Sequence, residues 1–455
     1  MLNPLSAADA PAPDRAMPDD PATAAAEILR HLLGPLRVGH DFGAGYTLTE
    51  LSPERKSELT LTKGGASFRL WLRPVTDRAT CYQQTARFRI GYEGALPDRD
   101  GLGVVDRVIA DVRRTEASLP DALYDAYASN RFERTELVPW GDKLELRVTI
   151  GCNESCGFCN SDTTVMNHCK SEAAVVDAIA RTPALGVKEI VFTGGEPTLM
   201  PGLPGWVRDA RRRGLKVWLQ TNGTMADPER YWEQFREPDG QLLLPHRIVM
   251  SLHTRFAERL PIITGLGGTF ERKLATVRSA LKLGIDCRLS HVISIHNMDE
   301  TPEFPDFVAD TFGTRVTIQF SFVAPTGHGA SHPDLMPRVR DVAPRLARAL
   351  DAAKRRGVPA VVTDVCGIPV CALPSHRRYF SNAIRPTELV TMGRERTKFD
   401  FCSTCAFDRS CTGFWRTYVD LYGHGEFQAI PLSRGERIAR LWQRLRRPAD
   451  QPSAG

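Results

Sequence analysis

Near its middle the chain reads Gly151-Cys152-Asn153-Glu154-Ser155-Cys156-Gly157-Phe158-Cys159-Asn160, with three cysteines in the spacing Cys-x3-Cys-x2-Cys. Iron–sulfur clusters are normally held by four cysteine thiolates. Three thiolates on one tight loop can hold three irons of a [4Fe–4S] cube, which leaves the fourth iron without a protein ligand. The stretch therefore predicts a cluster with one iron open to a small molecule.

The loop by itself leaves two plainer interpretations open. Three cysteines and one histidine form a normal structural zinc site, and His168 could supply the histidine. The spacing could also arise by chance among the 11 cysteines of the chain. The motifs that follow the loop favour the cluster.

Alternating strand and helix patterns surround the loop and predict the fold. Right-handed crossovers curl a parallel sheet toward a barrel, but six units fall short of the eight that close one. We therefore predict an α/β fold with a partial (β/α)6 barrel over residues 141–328. The predicted strands are Leu144–Ile150, Glu189–Phe192, Leu215–Gln220, Arg247–Leu252, Cys287–Ile295 and Val316–Phe322.

Capping residues set the ends of two helices in this region. Ser171 is placed to cap the N-terminus of a helix that runs to Arg181. Gly284 is a natural end for the helix Glu271–Leu283. A third helix is predicted over Trp206–Arg213. Each helix follows a predicted strand, as a barrel of this kind requires.

A second motif, Thr193-Gly194-Gly195-Glu196-Pro197, directly follows the second barrel strand. Ligand-binding residues of α/β barrels lie at the C-terminal ends of the strands. Two glycines let the backbone approach a ligand closely, and the carboxylate beside them can accept hydrogen bonds from an ammonium group. The motif follows the cysteine loop by one helix and one strand.

The two motifs in this order resemble the radical S-adenosylmethionine (SAM) superfamily. The resemblance implies that the amino and carboxylate groups of SAM bind the open iron of a [4Fe–4S] cluster. It also implies that an electron from the cluster splits SAM, and that the resulting 5′-deoxyadenosyl radical abstracts a hydrogen atom from the substrate.

The resemblance also implies roles for particular residues of this chain. Cys152, Cys156 and Cys159 would hold the catalytic cluster. The other implied residues would contact SAM: Gly194, Gly195 and Glu196 at the methionine amino group, Asn222 and Ser251 at the ribose, Ser294 at the ribose or carboxylate, and Phe158 near the adenine. Four further polar residues are candidates without an assigned role, namely His253, Arg255, His291 and Tyr379.

A second group of cysteines lies beyond the barrel, in a segment over 329–455. Cys402-x2-Cys405-x5-Cys411 resembles the auxiliary iron–sulfur domains called SPASM and twitch, but Trp415 stands where a full SPASM domain has its next cysteine. We expect one auxiliary [4Fe–4S] cluster, with Cys366 or Cys371 as the fourth ligand. A structural zinc site and a three-cysteine cluster with an open iron are the alternatives.

The N-terminal third has a different pattern. Residues 1–25 are rich in Ala, Pro and Asp and are predicted to be disordered. Residues 26–140 are predicted to form an accessory α+β domain, with an antiparallel meander of about four strands followed by a helix. The domain could clasp a peptide, cap the active site, help the chain dimerise, or only pack.

Composition indicates a soluble globular protein. The chain has 455 residues, of which 42% are hydrophobic and 25% charged, and its net charge of +5 does not indicate nucleic acid as a partner. No stretch is long and apolar enough to span a bilayer, and the N-terminus does not resemble a secretory signal. We therefore expect a cytoplasmic protein, where closely spaced cysteines are metal ligands rather than disulfides.

The substrate belongs to one of two classes. Many relatives with auxiliary cysteine domains modify ribosomally made peptides, and an N-terminal domain often engages the leader. The rival class is a small molecule such as a sugar, an amino acid or a cofactor precursor. We favour oxidative modification or crosslinking of a peptide, with flavodoxin or ferredoxin as the electron donor; a non-catalytic zinc-binding protein is the remote alternative.

Overall fold

The computed structural model describes residues 21–52, 58–74, 83–85, 87–94, 99–124, 127, 142–161, 169–363, 366–381 and 396–432. The chain divides into two compact units. The first comprises Met1–Pro74 and Ile90–Phe132, and the second comprises Val75–Arg89 and Glu133–Gly455. The amphipathic pattern of residues 434–447 predicts a C-terminal helix, but these residues lie outside the described ones, as do Cys81 and His168.

The N-terminal sheet follows the predicted alternation. Its strands run in the order β1-β2-β3-β5-β4, and β1, β2 and β3 are antiparallel neighbours. The alternating apolar side chains, such as Leu48, Leu61, Leu70 and Ile90, are all buried. The strands are β1 (Thr47–Ser52), β2 (Glu58–Lys63), β3 (Ala66–Pro74), β4 (Gln83–Gln84) and β5 (Phe88–Gly94), and the helices are α1 (Pro21–Leu33) and α2 (Arg99–Thr115).

One prediction for this region is wrong. Helix α1 begins at Pro21, so residues 21–25 are helical rather than disordered. The reason is a buried stripe that includes Ala24, Ala25, Ile28 and Leu29, each at most 2% exposed. Because alanine favours a helix and costs little side-chain entropy, the alanine-rich composition indicated a helix here as much as it indicated disorder. Residues 1–20 lie outside the described residues.

A seven-stranded sheet confirms the predicted α/β fold. Its strands run in the order β12-β11-β10-β9-β8-β7-β6, and every neighbouring pair is parallel. Six of the strands are the predicted ones, and β12 extends the sheet beyond residue 328 by pairing with β11. The strands are β6 (Lys143–Thr149), β7 (Glu189–Gly194), β8 (Lys216–Thr221), β9 (Arg247–Ser251), β10 (Asp286–Ile293), β11 (Val316–Phe322) and β12 (Ala360–Val362).

Helices connect these strands and cover one face of the sheet. Ser171 caps α3 as predicted, since its hydroxyl accepts a hydrogen bond from the Ala174 amide at 3.1 Å. Gly284 has a φ of 77° just beyond α7, where a side chain would be strained. The helices are α3 (Glu172–Arg181), α4 (Leu203–Arg212), α5 (Pro228–Glu233), α6 (Leu260–Thr264), α7 (Phe270–Lys282), α8 (Phe304–Phe312) and α9 (Val339–Arg356).

The two faces of the sheet differ in polarity. In β8 and β10 every second side chain is buried and the others are exposed or partly exposed. The buried side chains, among them Val217, Leu219 and Leu289, belong to the apolar core formed with the helices. The carboxyl ends of all seven strands meet at one edge because the strands are parallel, and this edge carries the cysteine loop.

The C-terminal region is small and contains little regular structure among its described residues. Strands β13 (Arg396–Thr397) and β14 (Phe414–Trp415) pair antiparallel, and helix α10 (Arg416–Tyr422) follows directly. No helix in the described part of the chain has both the length and the apolar character needed to cross a membrane.

Candidate active site

The cysteine loop follows β6 and is fixed from both sides. The Ser155 amide donates to the Thr264 carbonyl at 2.8 Å, and the Gly329 amide donates to the Cys159 carbonyl at 2.9 Å. Cys152, Cys156 and Cys159 are free thiols of intermediate exposure. The structure therefore holds three cysteines on one ordered loop at the carboxyl edge of the sheet.

The loop surroundings favour protonated thiols in the metal-free chain. Burial is the main reason that the pKa of Cys152 rises to about 12, and the charges of Glu196 and Glu154 add to it. Burial also raises the pKa of Cys156 well above its usual value. Because the thiolate is the form that binds metal, an iron cluster must displace these protons when it loads.

The Gly-Gly-Glu turn packs directly against the loop. The Gly195 amide donates to the Thr149 carbonyl and the Glu196 amide donates to the Gly151 carbonyl, both at 2.8 Å. A Cβ atom on Gly194 would lie 2.0 Å from the Thr149 carbonyl oxygen, and one on Gly195 would lie 2.1 Å from the Gly151 carbonyl oxygen. Only glycine allows this contact, which joins the two sequence motifs in space.

Glu196 is fully buried and already well supplied with donors. Its carboxylate accepts four hydrogen bonds, from the Thr198 amide and hydroxyl, the Thr221 hydroxyl and the Asn222 amide. Burial still raises the pKa of this carboxyl above its usual value. The side chain therefore joins the turn at Thr198 to the residues that end β8. Its predicted contact with the SAM amino group would use the remaining capacity of Oε2, which accepts one of the four hydrogen bonds.

Asn222 faces the cysteine loop. Its Nδ2 donates to Asn153 Oδ1 at 2.7 Å and lies 3.7 Å from Cys152 Sγ. Its Oδ1 accepts from the amide and hydroxyl of Thr224. Asn222 thus positions the loop, and its contact with the SAM ribose stays a prediction.

The remaining predicted SAM contacts lie at the ends of β9 and β10. Ser251 is partly exposed at the end of β9. Ser294 is fully buried, and its hydroxyl donates to Asn297 Oδ1 at 3.3 Å within a turn. Phe158 packs edge-on against the His253 ring, with 5.0 Å between ring centroids. Ser251 and Phe158 are therefore more exposed to solvent than Ser294.

The four unassigned polar candidates differ in their surroundings. His291 is fully buried against Phe304, and burial lowers its pKa to about 3. The His253 pKa is also well below its usual value because of burial, and its Nδ1 accepts from the Val292 amide. Both rings are therefore neutral in the folded chain and serve packing and hydrogen bonding.

Arg255 and Tyr379 are more exposed than the two histidines. The Arg255 guanidinium lies over the Phe256 ring, and its Nε is 4.0 Å from the buried carboxylate of Glu300. Tyr379 stacks on His376 in a 3-10 turn. Neither arrangement assigns a chemical role.

A second cysteine cluster lies in the C-terminal region. Cys371, Cys402, Cys405 and Cys411 line one small pocket, whereas Cys366 is not among the lining residues. Burial raises the pKa of the Cys371 thiol, and the charges of the other three cysteines raise it further. Four thiols from two chain segments therefore lie around one pocket, and the role of Cys371 as the fourth ligand stays a prediction.

The cysteines of both groups are chemically suited to hold iron–sulfur clusters. Thiolates are the ligands of such clusters, which distribute their thiolate bonds over several irons. Four thiolates also suit a single zinc ion, so a structural zinc site stays the alternative at the second group.

Comparisons with known proteins agree with this geometry. Residues 146–308 match a family model described as the radical SAM superfamily. The AdoMet-dependent heme synthase of Methanosarcina barkeri is 28% identical over 193 residues, covering 42% of this chain and 53% of that protein. The GTP 3′,8-cyclase of Chlorobaculum tepidum is 27% identical over 327 residues, covering 68% of this chain and 85% of that protein.

Solved structures show weaker likeness. Streptococcus suis SuiB bound to precursor peptide SuiA matches with a TM-score of 0.46 and 14% identity, over 72% of this chain and 89% of that chain. Tagged anSMEcpe with bound AdoMet matches with a TM-score of 0.43 and 15% identity, over 66% of this chain and 96% of that chain. At these scores the two structures indicate nothing about the substrate of this chain.

The fold and the loop define a partial α/β barrel with a loop of three cysteines at the carboxyl ends of its strands. The chain thus carries, over residues 146–308, a radical SAM domain, and members of that superfamily use a [4Fe–4S] cluster and SAM. It spans about half the length of the first curated relatives that it matches, 53% for the heme synthase. Family membership therefore concerns the barrel, and the activity of the whole chain is a proposal.

Several residues of the site were not found from the sequence. Lys273 on α7 forms a buried ion pair with Glu154 of the cysteine loop. Asn297 joins β9 and β10 because its Nδ2 donates to the carbonyls of His253 and Val292. The ion pair could have been suspected from the position of Lys273, because this lysine lies on the apolar side of α7, one residue before Leu274.

Proposed function

We propose that this protein is a radical SAM enzyme that cleaves SAM reductively and oxidatively modifies or crosslinks a ribosomally made peptide. The observation that carries the proposal is the contact between the two motifs, in which the Gly195 and Glu196 amides bond to the backbone of residues 149 and 151 beside the cysteine loop. The cluster and SAM, when bound, supply the electron and the radical.

The residues of the chain bind and orient these groups. We assign Cys152, Cys156 and Cys159 to the cluster, and the Gly194-Gly195 backbone with Glu196 to the methionine end of SAM. Ser251 and Asn222 are assigned to the ribose. Because a carbon radical attacks almost any C–H bond, selectivity depends on placing one hydrogen within reach and excluding water.

The auxiliary site is proposed to hold one [4Fe–4S] cluster on Cys371, Cys402, Cys405 and Cys411. Four thiolate ligands would leave no iron open to the substrate. Such a cluster can accept an electron from a product radical, which supports net oxidation rather than substrate anchoring. Burial raises the pKa of Cys402 and Cys411, and the charge of Lys398, which lies in the same pocket, opposes part of that rise.

A peptide substrate is supported by the N-terminal unit. It is a separate α+β unit that lies outside the residues matched by the family model, as expected for a unit that engages a leader peptide. A small-molecule substrate is the second candidate, because the similarity to a GTP 3′,8-cyclase covers 85% of that relative. We also propose a flavodoxin or ferredoxin donor and a cytoplasmic location.

The radical step is tested with the Cys156→Ala variant. Wild-type protein, reconstituted with iron and sulfide without air and reduced in the presence of SAM, should form 5′-deoxyadenosine. The variant should form less than about a hundredth as much, because the cluster loses one of three ligands. Cys287→Ala, at a buried cysteine in β10, is the matched control and should keep its activity.

The substrate class is tested by stimulation of that reaction. A peptide encoded beside this gene should raise 5′-deoxyadenosine formation at least tenfold. Mass spectrometry should show that the peptide has lost hydrogen atoms. Stimulation by GTP and not by the peptide would contradict the peptide proposal and favour the small-molecule candidate. Equal 5′-deoxyadenosine formation by wild type and Cys156→Ala would contradict both.

A further inference from the structure

A buried ion pair lies inside the cysteine loop. Glu154, between Cys152 and Cys156, contacts Lys273 of α7, with 2.8 Å between Oε1 and Nζ. The side chains are 3% and 1% exposed, respectively. Glu154 Oε2 lies 4.0 Å from Cys156 Sγ, so the carboxylate of the ion pair stands beside a proposed cluster ligand.

Lys273 connects the loop to a second part of the site. Its ammonium also donates to the Asn222 carbonyl at 2.5 Å. Asn222 in turn donates from its backbone to Glu196 and from its side chain to Asn153. The pair therefore joins the cysteine loop, helix α7 and the turn after β8 into one hydrogen-bonded unit.

Stability alone does not explain a buried pair at this position. Moving two charges out of water costs about as much as their attraction returns, and apolar side chains of the same size often stabilise a protein equally well. Lys282 and Glu229 form another pair that also involves α7, but these side chains are 73% and 71% exposed, where solvent screens the charges. The buried pair differs because its field reaches the cysteines without such screening.

We propose that Glu154 and Lys273 act as opposed charges that set the reduction potential of the cluster carried by Cys152, Cys156 and Cys159. This inference rests on the proposed function. Reduction adds one electron, and hence one negative charge, to the cluster. Lys273 stabilises the reduced form and Glu154 destabilises it, and cluster potentials respond to nearby charge and to solvent exposure. Both residues are positioning residues, since neither touches the reacting atoms.

Redox titration of the reconstituted protein, followed by electron paramagnetic resonance, tests this inference. The titrant supplies the electron. Glu154→Gln keeps the size of the side chain and an oxygen that can accept from Lys273, but it removes the negative charge. Its midpoint potential should therefore shift in the positive direction at unchanged iron content. Lys273→Met should shift the potential in the negative direction.

Two kinds of variant complete the test. The double variant Glu154→Gln/Lys273→Met removes both charges and should have a potential between those of the single variants. Glu229→Gln and Lys282→Met remove the charges of the exposed pair and should leave the potential unchanged. A purely structural role for Glu154 would change iron content or stability without moving the potential of the Gln variant.

The outcomes separate this inference from the proposed function. An unchanged potential in Glu154→Gln, in protein with full iron and a spectrum that responds to SAM, overturns the inference alone. A wild-type chain that binds no iron overturns the inference and the proposed function together. If Lys273→Met does not fold, the midpoint potentials of Glu154→Gln and of the double variant still test the inference.

Discussion

At the scale of single residues, the site depends on glycines that pack too closely against neighbouring backbone to carry a side chain. Gly195 meets the Gly151 and Ile150 carbonyls so closely that a Cβ would lie 2.1 and 2.5 Å from their oxygens. Those atoms belong to the backbone that leads into the cysteine loop and cannot rotate away. Glycine is therefore required here for a close approach rather than for flexibility.

We predict that Gly195→Ala destabilises the fold by about 3 kcal/mol, at the upper end for overpacked sites. The variant should also lose most of its iron, because the added methyl displaces the loop. Urea unfolding and iron analysis measure the two effects.

Gly205→Ala is the matched control for this prediction. Gly205 lies within α4, and the nearest atom to an added Cβ is 4.0 Å away. This variant should be neutral or stabilised by up to about 1 kcal/mol, as expected for alanine in a helix. Equal stability of both variants would show that the contact between the motifs is loose.

At the scale of elements, the auxiliary site is assembled from two segments. Cys402 and Cys405 belong to a short turn at residues 400–405, whereas Cys371 lies in a 3-10 turn at residues 370–372. Cys366 lies only five residues before Cys371 in the sequence. The backbone carbonyl of Cys366 accepts from the Phe322 amide at the end of β11, which fixes this residue to the barrel.

We predict that Cys371→Ala removes about four irons per chain, as expected when a cluster loses one of four ligands. Cys405→Ala should have the same effect. In both variants 5′-deoxyadenosine formation should persist, because the barrel cluster keeps its own ligands. Iron and sulfide analysis after anaerobic reconstitution provides the measurement.

Cys366→Ala provides the comparison and should keep the full iron content. Loss of iron in this variant, with iron retained in Cys371→Ala, would reverse the assignment of the fourth ligand. Zinc in place of iron in purified protein would favour the structural alternative.

At the scale of the whole molecule, the barrel core contains histidines that must remain neutral. His291 is fully buried, with its Nδ1 facing the Leu252 carbonyl at 3.4 Å and its Nε2 facing the Thr301 hydroxyl at 3.2 Å. Burial lowers its pKa to about 3 from the ordinary 6.5. Between these two values the unfolded chain binds a proton that the folded chain does not bind.

The sign of the pH effect follows from this difference. Stability is fully present above about pH 6.5 and falls as the pH decreases toward 3. We predict that His291 accounts for a loss of about 2 kcal/mol between pH 8 and pH 5. His291→Phe, which keeps an aromatic ring beside Phe304, should lack this component in urea unfolding at the two pH values. An identical loss in wild type and variant would contradict the prediction.

Local patterns in the sequence were sufficient for much of this molecule. Alternating apolar residues gave the strands around Leu48 and Leu219, and Ser171 and Gly284 marked helix ends. The six barrel strands and the two motifs could be placed in order because each depends on residues close together in the chain. The composition of residues 21–25 led to a wrong prediction of disorder, because alanine suits both a helix and a disordered segment.

Long-range packing decided the rest. It brings Cys371 to the pocket lined by Cys402, Cys405 and Cys411, buries Glu196 under four donors, and pairs Glu154 with Lys273. Each of these arrangements joins residues that are far apart in the chain. Spacing and periodicity report which side of an element a residue occupies, but they do not report which distant residue lies opposite. The number and spacing of the cysteines fix the chemistry that they can support, whereas packing between distant segments sets which charged side chains surround them.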